Sequence, residues 1–163
     1  MERAAPFESS SGNRRSARAL TGGFAGTVIL TGLHEAARHL LPHAPRMDVI
    51  GERALARLLA RVRRRVVPRE QLFGATLAGE IVSNTVYYSL IGAGSRSGLL
   101  RRGLLIGLAA GVGAVLLPPR LGLGSPPREK RPVTPLLTIV WYTAGGVTAA
   151  LAMRLWDGSG SRG

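Results

Sequence analysis

Cysteine is absent from this chain, which excludes disulfides and thiolate metal sites but leaves the redox compartment open. Lysine occurs once, at Lys130, and acidic residues number 9 against 22 Lys and Arg, for a formal net charge of +13. Aromatic residues make up 5% of the chain, and none is interleaved with the arginine clusters. A nucleic-acid surface built on base stacking is therefore disfavoured, and no nucleic-acid partner is expected. There is no Gly-rich phosphate loop, no nucleophile elbow and no pair of catalytic carboxylates. Gly107-x-x-x-Gly111-x-Gly113 follows no strand and reads as helix packing. No small-x-small cleavage site cleanly follows the first apolar stretch, so that stretch reads as a span rather than a removed leader.

What is present is hydrophobicity in long runs. Hydrophobic residues are 45% of the chain and gather in four Gly-rich stretches at about 18–41, 72–93, 99–117 and 135–155. Each approaches the roughly 20 residues that cross a bilayer, and the gaps between them hold most of the arginines. High charge and long apolar runs together point to a membrane protein with cationic loops. The expectation is an all-α, four-helix transmembrane bundle over 17–156, with disordered tails at 1–16 and 157–163. Pro42 ends the first span, Pro118-Pro119 ends the third and Pro135 sits in the first turn of the fourth. Arg101 and Arg102 would snorkel from the third span to the interface.

Between the first two spans, residues 49–66 read as a basic amphipathic helix with Asp48 as N-cap. Arg53, Arg57, Arg61 and Arg65 recur every fourth residue, with leucines and valines opposite. One reading lays it on an anionic leaflet with its arginines among the lipid headgroups, and the other packs its apolar face on the bundle. Small residues recur at helical spacing within the spans: Gly22 and Gly26, Gly79, Gly103, Gly107 and Gly111, and Gly145. They predict close helix packing, either within the chain, between copies of it or against a membrane partner.

One internal similarity suggests duplication. Val86-Tyr87-Tyr88-Ser89-x-x-Gly92 matches Val140-Trp141-Tyr142-Thr143-x-x-Gly146, which would make the bundle two parallel helical hairpins. In that alignment Glu80 answers to Thr134 and Asn84 to Thr138, so the acid and amide belong to the first hairpin alone.

The polar residues within the spans are His34, Glu35 and Arg38 on the first and Glu80 and Asn84 on the second. His34 and Glu80 each lie about 12 Å from the same membrane face, so they can meet. A carboxylate in hydrocarbon needs a partner, and Arg38 or His34 is the candidate for Glu80. The cluster reads either as a structural salt bridge or as a path for protons or small ions. His34-Glu35-x-x-Arg38-His39 is not a zinc-protease motif, because arginine occupies the second ligand position and His39 lies about 100° off the face. A site from His34, Glu35, His43 and Glu80, as in a membrane metalloenzyme, is the remote alternative. No metal or other cofactor is expected.

Gly32-Leu33-His34-Glu35-x-x-Arg38, Pro45-Arg46-Met47-Asp48-x-x-Gly51, Ala78-Gly79-Glu80-x-x-Ser83-Asn84-x-x-Tyr87-Tyr88-Ser89-Leu90 and Trp141-Tyr142-x-x-Gly145-Gly146 resemble a group of small bacterial four-helix membrane proteins. The resemblance runs from about Gly22 to Ala150. It implies a multi-pass protein of the bacterial inner membrane, and it brings no activity with it. Basic residues number about twelve in the two odd-numbered loops against nine in the tails and middle loop. The positive-inside rule then places the basic helix in the cytoplasm and the termini outside.

Overall fold

The computed structural model describes residues 7–41, 44, 46–63, 68–125 and 133–159. Among them the chain is all helical: α1 Phe7–Leu40, α2 Met47–Arg63, α3 Arg69–Ser89, α4 Leu99–Arg120 and α5 Val133–Ser159, without a strand. Two short 3-10 turns, Leu90–Gly92 and Arg96–Gly98, join α3 to α4. Helices α4 and α5 are long and apolar enough to cross a membrane. Helices α1 and α3, which carry the His34 and Glu80 cluster, do not reach the same standard.

Helix α5 is the centre of the bundle. It runs antiparallel along both α1 and α4, while α3 packs antiparallel on α1 along an adjacent face. Glycine makes this possible. A Cβ on Gly107 would lie 2.8 Å from the Thr143 Cα, and one on Gly111 2.6 Å from the Ile139 Cα. Gly103 lies equally close to the Gly146 carbonyl, and Gly26 to that of Gly145. Gly22 faces Ala149 and Met153, and Gly145 faces the Tyr88 hydroxyl and the Gly26 carbonyl. Gly79 differs, since a Cβ there would meet nothing within 4 Å. It belongs to no helix contact, contrary to the packing role its spacing predicts, because its side of α3 faces open space.

Tyr88, Leu30, Ile91, Leu99 and Met153 are fully buried in the core. The tyrosines of the repeated motif tie the helices together by hydroxyl groups: Tyr88 donates to the Tyr142 carbonyl at 2.8 Å and Tyr87 to that of Ile106 at 3.4 Å. A two-fold relation between hairpins would press α3 against α4 as α1 is pressed against α5. Instead α3 meets α4 and α5 at few points. The glycine edge of α4 is occupied by α5, and the small residues Ala75, Gly79 and Ser83 of α3 line a cavity instead of packing on α4.

Several boundaries move from their sequence positions. Helix α1 begins at Phe7, so residues 7–16 are helical rather than an irregular tail. Asp48 lies within the first turn of α2 rather than ahead of it. Helix α4 continues through Pro118 and Pro119, whose fixed φ suits the helix even though they leave two carbonyls without donors. It stops where Gly122 adopts φ +71°, with Gly122 N–H bonded to the Pro119 carbonyl and Leu123 N–H to that of Pro118. Helix α5 reaches Ser159 and carries Asp157, expected in a tail, into a buried ion pair: Arg18 donates to its carboxylate at 2.8 Å. Arg96 lies 3.4 Å from the same carboxylate. Arg102 reaches back from the first turn of α4 and donates to the Ile91 and Ser95 carbonyls at 2.9 and 2.6 Å, while Arg101 is exposed.

The glycine contacts predict opposite outcomes at two positions. Gly107→Val forces a side chain into the α5 backbone and is expected to cost about 1–3 kcal/mol, read as a lower unfolding midpoint in detergent. Gly79→Ala should leave the midpoint unchanged or raise it, since helix propensity favours alanine by up to ~1 kcal/mol.

Candidate functional site

The end of α1 and the middle of α3 supply the ionisable residues, and the helix contacts set which of them meet. His34 Nδ1 lies 3.7 Å from Glu80 Oε1. Arg38 lines the same cleft as Glu80 but donates to Glu35 Oε2 at 2.6 Å, one helical turn back on its own helix. Its guanidinium also lies 5.8 Å from the Phe73 ring centroid. His39 Nε2 stands 3.8 Å from Glu35, on the exposed edge of α1. Arg38 and Glu35 thus pair with one another, while Arg38 Nε is buried without a hydrogen-bond partner among the described residues, and Glu80 has the imidazole as its ion-pair neighbour.

Helix α5 fixes the imidazole. Its ring meets those of Trp141 and Tyr142 edge-on, with centroids 5.2 and 5.7 Å away. The His34 side chain is 11% exposed, and its Nε2 is buried without a hydrogen-bond partner among the described residues. Glu80 is 24% exposed and opens onto a cavity of about 600 Å³. This cavity lies between α2, which supplies Ile50, Leu55 and Leu58, and α3, with Ala114 of α4 and Tyr142 of α5 completing its wall. Asn84, Ser83 and Thr76 are the other polar side chains of its wall. Asn84 therefore joins the cavity and not the ion pairs.

Helix α2 covers the cavity because its arginines are held by the end of α4. Arg53 donates to the Leu123 carbonyl at 3.0 Å and to that of Ser125 at 3.3 Å, and Arg57 to the Leu121 and Gly122 carbonyls at 3.1 and 2.5 Å. These carbonyls belong to the turn that follows α4, close to a helix C-terminus, where the dipole attracts cations. Two of the four surface arginines are thus spent within the molecule; Arg61 is exposed, and Arg65 lies outside the described residues. Helix α2 also packs on α3, most closely where Gly51 passes the Thr76 methyl.

Sequence reasoning missed three parts of this arrangement. The Trp141 and Tyr142 contacts to His34 were marked by the internal repeat, but nothing in the repeat assigns them to the imidazole. The Arg18–Asp157 pair joins residues at opposite ends of the chain and has no local signal. The third is Arg46, which donates to Asp48 at 2.7 Å and pins the start of α2 beside the Glu80 cluster.

No three His, Cys, Asp or Glu side chains among the described residues come together as a metal site, and His43 lies outside those residues. No family model, no curated protein and no solved structure matches the chain.

Burial pushes the Asp48 carboxyl up, but the Arg46 hydrogen bond and charge, with the Val49 amide, outweigh it and hold the group below the usual carboxylate value. Its stabilisation is complete above the unfolded pKa of about 3.9 and disappears as pH falls through the lower folded value. Amide exchange over residues 47–51, corrected for intrinsic rate, is therefore expected to accelerate below about pH 4. Asp48→Asn should show the fast exchange at neutral pH as well.

Proposed function

We propose that this chain is a four-span protein of the bacterial inner membrane in which Glu80 and His34 form a proton-exchange site on the cavity wall. Two kinds of observation support the membrane part. The four long helices expose apolar faces, including Leu20, Phe24 and Val28 on α1, Val82 and Val86 on α3, Leu104 and Leu108 on α4, and Val140 and Leu151 on α5. The apolar windows of α4 and α5 are 22% and 39% buried, whereas the core helix of a water-soluble protein is mostly buried. Polar contacts collect at the two ends: Arg18, Arg96 and Asp157 at one, and Arg53, Arg57 and the end of α4 at the other. With about 1.5 Å of rise per residue, the apolar belt between them matches a hydrocarbon layer of roughly 30 Å. Positive-inside bias puts the α2 end in the cytoplasm, where the exposed Arg61 meets anionic headgroups.

The observation that carries the functional part is the partner of Glu80. An arginine partner would hold its charge at every accessible pH and make the pair a fixed brace. An imidazole can give up and regain a proton, as a guanidinium does not. The 3.7 Å separation exceeds hydrogen-bonding distance, and the carboxylate borders the cavity on one side, which favours exchange over a brace. The resemblance to small bacterial membrane proteins agrees with this class and adds no activity. Docking of a partner through the glycine stripes is disfavoured, because Gly22, Gly26, Gly103, Gly107, Gly111 and Gly145 are covered from within the chain.

Proton flux into liposomes holding the purified chain, followed with a pH-sensitive dye under a clamped potassium diffusion potential, tests this reading. Glu80→Gln and His34→Gln are each expected to lower the flux by about tenfold or more while helicity and elution volume stay the same. A structural brace gives the opposite pattern, with lost fold or a lower unfolding midpoint and no change of flux in the folded fraction.

A further inference from the structure

The cavity beside Glu80 has a carboxylate that the protein itself does not neutralise with an arginine. Every arginine with a mapped contact nearby points elsewhere: Arg38 to Glu35 at 2.6 Å, Arg46 to Asp48 at 2.7 Å, and Arg53 and Arg57 to the carbonyls after α4. The groups that face Glu80 are His34, Glu35 and Arg38 from α1, Asp48 from α2 and Tyr142 from α5. The cavity wall from α4 is Ala114, which brings no charge.

The remaining wall is chiefly apolar, and about 600 Å³ is far more than a bare ion or a single water needs. It falls within the roughly 300–1,000 Å³ of small-molecule sites. An anion would be repelled by Glu80, and a sugar would leave most of its hydroxyls facing Ile50, Leu55 and Leu58. A body that is apolar and carries one positive charge satisfies both the walls and the carboxylate.

We propose that the cavity under α2 binds a hydrophobic organic cation, an amine or onium ion, with its charge at Glu80 and its apolar body against α2. This rests on the proton-exchange reading and supplies its counter-ligand. A proton on the site cancels the charge that holds the cation, so cation binding to the protonated site releases one proton to water, and acid expels the cation. The gap between α3 and α4 is the side by which such a ligand reaches the cavity, since those helices barely touch.

Titration calorimetry of the full chain in lipid nanodiscs tests this with tetraphenylphosphonium, whose charge cannot titrate, so any proton released comes from the protein. Saturable binding to one site per chain is expected, weaker by about tenfold or more near pH 6 than near pH 8, with proton release read from buffers of different ionisation enthalpy. Glu80→Gln should abolish binding. Gly79→Leu should do so too, because its side chain enters open cavity space without meeting the backbone, and it keeps Glu80 in place. Binding by Glu80→Gln as tight as wild type, or equally tight binding of a neutral probe of the same size, overturns the proposal and leaves a merely apolar cavity. Absence of binding alongside Glu80-dependent proton flux overturns the ligand and spares the exchange site. Binding lost in both variants but without proton release keeps the ligand and removes the exchange.

Discussion

The backbone-to-backbone approach of α5 to its two neighbours is the contact on which the other features depend. Gly103, Gly107 and Gly111 bring α4 to within van der Waals reach of the α5 main chain, and Gly22 and Gly26 do the same for α1. Between helices in lipid, association draws on close packing and interhelical hydrogen bonds rather than on hydrophobic burial. Side chains larger than glycine at these positions would separate the axes. Trp141 and Tyr142 would then withdraw from His34, and Tyr88 from the Tyr142 carbonyl.

Close packing on one side of the bundle leaves openness on the other. Because α5 occupies the glycine edges of both α1 and α4, α3 is left with α1 alone as an extended partner, and α3 and α4 stand apart. Helix α2 bridges part of that gap, held at one end by Arg46 and Asp48 and along its length by Arg53 and Arg57. The cavity is thus a consequence of how small residues are distributed among four helices. Its single carboxylate comes from α3, which packs extensively on α1 and more lightly on α2. The repeated aromatic motif survives this asymmetry as hydroxyl-to-carbonyl links, while the positions aligned with Glu80 and Asn84 are the buried hydroxyl residues Thr134 and Thr138.

Charge follows the same division. Arg53, Arg57 and Arg102 are bound to carbonyls of the segments that flank α4, and Arg18 to Asp157. Within the bundle, Arg38 is neutralised by Glu35 on its own helix, which keeps a permanent cation off Glu80. What faces Glu80 is a group able to lose its charge, next to a space able to hold a ligand. The proposed proton exchange rests on this pairing, since an acid held by a permanent cation serves as a brace.

Much of this was legible in the residues themselves. Apolar run length and proline positions set the helical class and the approximate helix positions; the fourfold arginine spacing set α2; and the small-residue spacing marked Gly22, Gly26, Gly103, Gly107, Gly111 and Gly145, because helical periodicity is a local property of the chain. The meeting of His34 and Glu80 at a common depth was legible as well, since rise per residue is constant. Local pattern could not choose between His34 and Arg38 as the neighbour of Glu80, nor reveal that Gly79 faces empty space. It could not join Arg18 to Asp157 across nearly the whole chain or turn Arg53 and Arg57 inward to the end of α4. Those outcomes depend on which helix faces touch and at what rotation, and only the tertiary packing of α5 between α1 and α4 decides that.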